Sequence, residues 1–366
     1  MREAAPLLSV VSPATEPCGD SRAIRRVDPL TDPRWDARLA GCPGATFFHG
    51  AAWARVLAGT YGFDPLYFTV GGEAERLSAL LPVMGVRSWL TGRRGISLPF
   101  TDACAPLAAE AETAGDLFAE ALACARASGW NYLECRGGRA LLGDPPASTS
   151  FLGHQLDLSP GESRLFAQTA ESVRRAVRKA GQSGLTVEFS RDLAAVRVFY
   201  RLLGRTRKRH GLPAQPFRFF ANIQRHILAQ DQGCVVLARQ GATPVAGAIF
   251  FHFAGTVLYK FGASDERFQH LRANNRVMWE AIAWHVQKGF SRLDFGRTSL
   301  ANAGLRRFKL GWGATEQPID YVRYDVRAGA FTSGRDESSG WYNRLFRRLP
   351  VSLSRLAGAL LYKHAA

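Results

Sequence analysis

Cysteine, acidic side chains and long apolar runs are what this chain has least of. Six cysteines among 366 residues (Cys18, Cys42, Cys104, Cys124, Cys135, Cys234) are scattered. They form no CxxC pair and no Cys/His grouping at zinc-ligand spacing, so they read as reduced, mostly buried thiols, and no metal is expected. Nowhere do about 18 consecutive apolar residues occur, the minimum for a membrane-crossing helix. The apolar run Leu7 to Val11, followed by Pro13, is too short for a signal-peptide core, and the expected location is the cytoplasm. Neither a GxSxG elbow nor a Cys/His nucleophile signature is present, which leaves a hydrolase without support. Acid is scarce as well: 31 Asp and Glu stand against 47 Lys and Arg, a net charge of +16. Such a chain attracts nucleic acid, phospholipid or phosphate-bearing sugar precursors.

What is present is ordinary globular material, 46% hydrophobic and 21% charged, in a chain longer than one core usually organises. Residues 1–22, rich in Pro, Ser and Ala, read as a leader. A first lobe is expected over 23–150. Ala51 to Leu57 suits a short helix, Leu66 to Val70 a strand, Leu77 to Val86 its hairpin partner and Gly95 to Phe100 another strand. Gly115 to Ser128 suits a helix that stops at Gly129, before the strand-like WNYLEC, Trp130 to Cys135.

The same order returns in a second lobe, 151–328. Helix Leu193 to Arg209 precedes strands Cys234 to Arg239, Val245 to Phe253 and Thr256 to Gly262. Helix Asn275 to Lys288 then ends at Gly289 before FSRLDFG. SGWNYLECRG (Ser128 to Gly137) and KGFSRLDFGR (Lys288 to Arg297) align at a constant offset, with Gly, aromatic, Leu and an acid in register. This internal repeat predicts two copies of one α/β (α+β) fold, each a mixed sheet flanked by helices.

A helix between the lobes is expected to open at the capping box Ser159-Pro160-Gly161-Glu162. Its Arg174/Arg178 and Arg175/Lys179 pairs repel at i,i+4 unless an anion lies over them, the alternative being a solvated basic face. Residues 329–366 form a basic tail in which Leu345 to Leu361 alternate with arginines around Pro350. Two short amphipathic helices are expected there, lying on an anionic membrane surface or packed on the body.

Six segments stand out: FFHGAAW (Phe47 to Trp53), SLPFTDACAPL (Ser97 to Leu107), ESVRRAVRKAGQSG (Glu171 to Gly184), RHGLPAQPFRFF (Arg209 to Phe220), YKFGAS (Tyr259 to Ser264) and DFGRTSLANAGLRRFKLGWGA (Asp294 to Ala314). With the element order, they resemble the FemAB-like branch of the GNAT acyltransferases, including the FemAB-related proteins of PEP-CTERM and exopolysaccharide systems. The resemblance implies two tandem GNAT-like lobes and an amine attacking an activated acyl carbon. It implies no tightly bound cofactor, with acyl-CoA or aminoacyl-tRNA as donor substrate. The acceptor implied is an anionic small-molecule or lipid-linked sugar or peptide precursor of the cell envelope. The alternative is a non-catalytic nucleic-acid or phosphosugar binder that keeps the fold. Where the CoA-binding pattern Q/R-x-x-G-x-G/A would stand, this chain has Gln269-His270-Leu271-Arg272-Ala273-Asn274, without the glycines.

The resemblance places Lys309 on the lysine of the family's FK-x-G-F/W-G segment, where an ammonium neutralises developing charge. The reading against it is an exposed surface lysine. Asp102, just after an apolar strand, either orients or deprotonates the amine or merely forms a turn. Tyr259 is the candidate to protonate a leaving group. Lys260, inside an apolar strand, needs a partner and is read as a binding residue. Arg297 and Ser299 follow a strand end, where α/β folds place ligand groups. Asn275, Arg174, Arg178, His210 and Trp312 complete the substrate-binding candidates, and Gln269, Arg272 and Asn274 the donor-binding ones. Asp294 aligns with Glu134 across the repeat, which reads as a structural hydrogen bond common to both lobes rather than catalysis in each.

Overall fold

The computed structural model describes residues 23–71, 77–334 and 350–364. The leader 1–22 and the first tail helix, Trp341 to Leu349, lie outside the described residues.

The first lobe opens with β1 (Ile24–Val27), α1 (Trp35–Leu39) and α2 (Ala51–Tyr61), then β2 (Asp64–Val70), β3 (Ala79–Ser88) and β4 (Gly92–Ile96). Its helix α3 (Ala111–Ala127) buries Ala114, Leu117, Phe118, Ala121, Leu122 and Ala125, a stripe at i, i+3, i+4 and i+7. β5 (Tyr132–Arg136) follows and runs parallel to β4. The strand expected over Gly95 to Phe100 instead ends at Ile96. The chain turns sharply beyond it, with Leu98 and Phe100 at φ 54° and 60°, and so presents Asp102 to the other lobe.

β6 (Thr149–Asp157) leads into the second lobe through α4 (Glu162–Gln168) and α5 (Glu171–Gly181). The expected capping box does not form: Gly161 at φ 83° is the N-cap, without a side-chain cap, and the helix breaks at Thr169. β7 (Leu185–Ser190), α6 (Leu193–His210), α7 (Phe217–His226), β8 (Gly233–Gln240), β9 (Thr243–Phe253) and β10 (Thr256–Ser264) come next. Helix α8 (Ala273–Gln287) then precedes β11 (Arg292–Ser299), α9 (Ala303–Leu310), β12 (Thr315–Asp325) and β13 (Ala330–Thr332).

The repeat is real at the level of register. β11 runs parallel to β10 as β5 does to β4, and Leu258↔Asp294 occupies the third pair, as Ile96↔Glu134 does. Gly129 and Gly289, at φ 63° and 80°, turn the helix into the strand in both copies, a conformation that costs a side chain about 1 kcal/mol or more.

The lobes are joined more closely than two consecutive domains. All strands of the described residues form one sheet in the order β1-β2-β3-β4-β5-β12-β6-β11-β10-β9-β8-β7, with β13 on β12. β12 pairs with β6 through Thr315 to Tyr321 and with β5 through Tyr321 to Asp325, so a late strand stitches the early lobe to the late one. Residue 150 lies inside β6. A shared aromatic core reinforces the seam: Phe47 stacks on Phe251 at 4.7 Å and Trp53 meets Phe219 edge-on at 5.7 Å. Each such buried ring contributes about 1.5–3 kcal/mol.

The last helix, α10 (Val351–Leu361), packs on the body through α6. Gly358 lies so close to Ala214 that a Cβ would stand 1.8 Å from its carbonyl oxygen, and Tyr362 Oη donates to Pro213 O at 3.2 Å. No helix of the described residues is long and apolar enough to cross a membrane.

Candidate active site

Where the lobes face each other a cavity of about 340 Å³ opens, lined by Thr46, Phe47, Phe48 and Asp102 from the first lobe and Thr256, Leu258, Arg292, Asp294 and Gly296 from the second. β10 and β11 are paired over only three residues and then part. At the point of parting, a bulge between Tyr259 and Phe261 turns Lys260 toward the first lobe.

Lys260 Nζ donates to Asp102 Oδ2 at 2.8 Å and to Phe100 O at 2.8 Å, over the faces of Phe48 and Trp53. The partner required by a lysine in an apolar strand is thus the candidate Asp102 itself. Burial alone would raise the Asp102 carboxyl, but Lys260, with Arg297 and Lys309 behind it, holds it below its ordinary value. Asp102 Oδ1 also accepts from the Arg297 backbone N–H at 3.3 Å. Gly296 must be glycine here: it sits at φ +69°, and a Cβ would lie 2.9 Å from Asp102 Oδ1.

Asp294 has the opposite electrostatics. Its side chain accepts a hydrogen bond from Gly296 N–H at 2.7 Å, and no arginine or lysine among the described residues pairs with it directly. Burial pushes its carboxyl up to about 6, with the Asp102 charge adding and Lys309 and Lys260 opposing. Two carboxylates of one cavity are therefore separated in proton affinity, Asp102 ionised and Asp294 titrating near neutrality. Both acids accept from the residue two positions on, as expected of a structural hydrogen bond common to the lobes, but the donors differ: the Gly296 N–H for Asp294 and the Arg136 side chain for Glu134. Glu134 is clamped by Arg136 at 3.0 Å and Arg323 at 2.6 Å.

Lys309 is not an exposed lysine: 2% of it is accessible. Its Nζ donates to the carbonyls of Gly296 at 2.8 Å and Arg297 at 3.0 Å, fixing the segment that carries Asp294 and contacts Asp102. Burial lowers its ammonium to about 8, against the pull of Asp102 and Asp294. Arg297 stacks over Phe151 at 4.1 Å and donates to Tyr321 Oη at 2.7 Å, which in turn donates to Asp102 O at 2.7 Å.

A second polar region lies at the far end of β10. Gln269, Arg272, Asn274 and Asn275 line a cavity of about 170 Å³ with Ser264 and Arg209. Arg205, Lys208 and Arg209 border a neighbouring one of about 470 Å³. Arg272, at the N-cap of α8, adopts φ 56°, the left-handed conformation that a glycine usually supplies. Arg209 Nη1 is buried without a hydrogen-bond partner, next to that helix N-terminus.

Residues 167–316 match the family model of the acetyltransferase (GNAT) domain. The chain is a GNAT-fold protein. Among solved structures it is similar to FemX (TM-score 0.65, 14% identity, covering 81% of this chain and 96% of that one). A tandem GNAT protein from the clavulanic acid biosynthesis pathway gives a TM-score of 0.52 at 12% identity, covering 83% and 98% of the two chains. L-PGS from Bacillus licheniformis gives 0.52 at 12% identity, covering 80% and 91%. No curated protein matches the chain by sequence.

Within this GNAT fold the expected site residues fall into three places. Asp102, Lys260, Arg297 and Lys309 gather around the inter-lobe cavity, and the donor candidates Gln269, Arg272 and Asn274, with Asn275, gather at the α8 loop. The rest are elsewhere. Tyr259 packs its ring against Phe250 and Phe295, and burial pushes its phenol up to about 12. Trp312 is core, at 1% accessibility, and His210 ends α6 on the surface. Ser299 ends β11 opposite Phe151. Arg174 and Arg178 lie away from both cavities: Arg174 Nη1 donates to Ala167 O at 2.7 Å at the end of α4, Arg178 lies over Phe166 at 5.7 Å, and Arg175 pairs with Glu171. Asp294, read from the sequence as structural, lines the cavity itself. Its signal stood in the repeat, where Glu134 is followed two residues on by Arg136 and Asp294 by Gly296.

Proposed function

We propose that the protein transfers an acyl or aminoacyl group from a phosphate-bearing donor to an amine of an anionic, envelope-type precursor, with Asp294 as the base. The observation that carries this reading is the pairing of Asp294, whose carboxyl titrates at about 6, with the ionised Asp102 in one cavity. An acceptor ammonium is drawn by the Asp102 charge and gives a proton to the Asp294 carboxylate. The free amine then attacks the donor carbonyl carbon. The tetrahedral adduct expels the donor's thiolate or ribose oxygen, which takes up a proton, and no covalent enzyme intermediate is needed. Lys309 and Arg297 act as positioning residues for the wall that holds both carboxylates.

The donor's phosphates are assigned to the loop before α8, beside Arg209 and the helix N-terminus. From Ser264 to Leu258, the neighbour of Asp294, β10 runs six residues, about 20 Å at strand spacing. A donor held at one end and reacting at the other has a long arm between phosphate and acyl carbon. Acyl-CoA and the acceptor end of aminoacyl-tRNA both qualify.

The test is to offer acetyl-CoA, longer acyl-CoAs and charged tRNA in parallel, with amine-bearing envelope precursors, and to follow product masses. Transfer by the native protein that is lost in Asp294→Asn supports the reading. Tight precursor or RNA binding without transfer from any donor favours the non-catalytic binder.

A membrane-borne acceptor fits the surface of α10. Leu353, Leu356 and Leu360 fall on one helical face and are 49%, 59% and 65% exposed, and His364 at the end of that stripe meets Trp89, itself 86% exposed. Arg87, Arg93 and Lys363 are exposed beside this apolar patch, a combination suited to an anionic bilayer surface. Sedimentation with phosphatidylglycerol vesicles is expected to carry the native protein down and to leave Trp89→Ser/Leu360→Ser in solution. Equal pelleting of both removes the membrane assignment.

A further inference from the structure

The second lobe contains a group of side chains that the transfer reaction does not use. Cys234 on β8, His252 on β9 and His285 on α8 are far apart in sequence, which is why their spacing shows nothing. The fold brings the Cys234 Sγ and one nitrogen of each ring within 4.8 Å of one another. Cys234 and His285 are buried and His252 is partly buried, among Phe250, Trp284 and Phe290.

The hydrogen bonds of the rings aim nitrogen lone pairs into this group. His285 Nδ1 lies 2.6 Å from Ala281 O, so that ring donates from Nδ1 and presents a lone pair at Nε2. This lone pair faces His252 Nε2 at 2.9 Å. A cation between the two Nε2 atoms would take a lone pair from each ring, with the Cys234 sulfur close enough to supply a third. Carbonyl acceptors behind imidazoles are also the usual way ligating histidines are oriented.

We propose that Cys234, His252 and His285 bind a zinc ion through Sγ and the two Nε2 atoms. Metal bonds of about 2.0–2.1 Å to nitrogen in tetrahedral geometry set the two nitrogens about 3.3 Å apart, so the rings separate by a few tenths of an ångström. Binding converts the Cys234 thiol to a thiolate and releases its proton to solvent. The fourth position faces water: Cys234 lines an open cavity of about 630 Å³ with Glu188, Ser190, Arg191 and Asp192, which is also the entry path. The three ligands tie β8, β9 and α8 together, so the ion has a structural role.

The experiment uses the full, tag-free chain stripped with a chelator and titrated with Co²⁺ as a spectroscopic probe, then with Zn²⁺. The expected result is a near-ultraviolet thiolate-to-cobalt charge-transfer band and tetrahedral visible bands that saturate at one equivalent. Zn²⁺ should displace them and raise the thermal midpoint of the native protein. Cys234→Ser should lose the charge-transfer band. A native chain with neither band nor midpoint shift overturns the proposal without requiring any variant to fold. A charge-transfer band that survives in Cys234→Ser overturns it too, because another thiol then holds the metal.

Discussion

Asp294→Asn separates a catalytic carboxylate from a structural one, because the two roles move stability in opposite directions. In the folded protein the carboxyl is raised from 3.8 to about 6. The native state therefore binds this proton more tightly than the unfolded chain does, and native stability falls as pH rises from about 4 through about 6. At 1.36 kcal/mol per pKa unit the cost at pH 7.5 is at most about 3 kcal/mol. Asparagine keeps an oxygen to accept from Gly296 N–H and carries no charge. The variant should gain up to about 3 kcal/mol at pH 7.5 and almost nothing at pH 4, read as urea midpoints at the two pH values. Turnover should fall by about 10²–10⁴, the usual contribution of a general base, and the acid limb of kcat/KM near pH 6 should vanish. Loss of stability at pH 7.5 together with activity would show Asp294 to be a structural partner and refute the assignment.

Other perturbations test the rest of the site. Because Lys309 loses its proton near pH 8, turnover should decline as pH rises through 8, and Lys309→Arg should move that limb upward in a pH–rate profile while the limb near 6 stays. Gly296→Ala forces a side chain into the left-handed region and against Asp102, and should cost about 1–3 kcal/mol in denaturant unfolding along with most of the turnover. Arg209→Met should raise the donor KM about 10–100-fold and leave kcat nearly unchanged, as removal of a charged phosphate contact does.

The helices and central strands were legible because their apolar residues recur at the right period, and the two lobes because the segment from Ser128 recurs from Lys288. What escaped was set by long-range pairing. β6 and β12 carry polar and apolar residues without clean alternation, and their burial is mixed along their length, so neither shows the period of a strand with one buried face. The turn at Leu98 and Phe100 has no glycine to announce it; positive φ is held there by the Thr101 Oγ1 bond to Leu98 O and by the aromatic packing of Phe100. The contacts of Arg174 and Arg178, carbonyls at the α4–α5 junction for one and the Phe166 ring for the other, were invisible in the sequence. The Cys234, His252 and His285 group was illegible for the same reason: its members meet only after β8, β9 and α8 have packed.

The two lobes show how one position of a repeated fold is given two fates. Glu134 and Asp294 occupy the same place in the parallel strand pair of their respective lobes. In the first lobe Arg136 comes from the same strand and Arg323 from β12, and together they hold Glu134 well ionised despite its burial. In the second lobe the residue two positions on is Gly296, and β12 has crossed to the other side of β6, so no guanidinium reaches Asp294. Intercalation of β12 therefore gives one acid an arginine partner and leaves the other raised, and the same strand brings Tyr321 to brace Arg297 and Asp102. Arg323→Ala should then shift Glu134 toward the raised state of Asp294 and cost stability at neutral pH, while the limb of the rate profile near 6 is untouched. A limb that moved with Arg323 would mean that the carboxylate titrating in turnover is Glu134, and the assignment of the active lobe would have to be reversed.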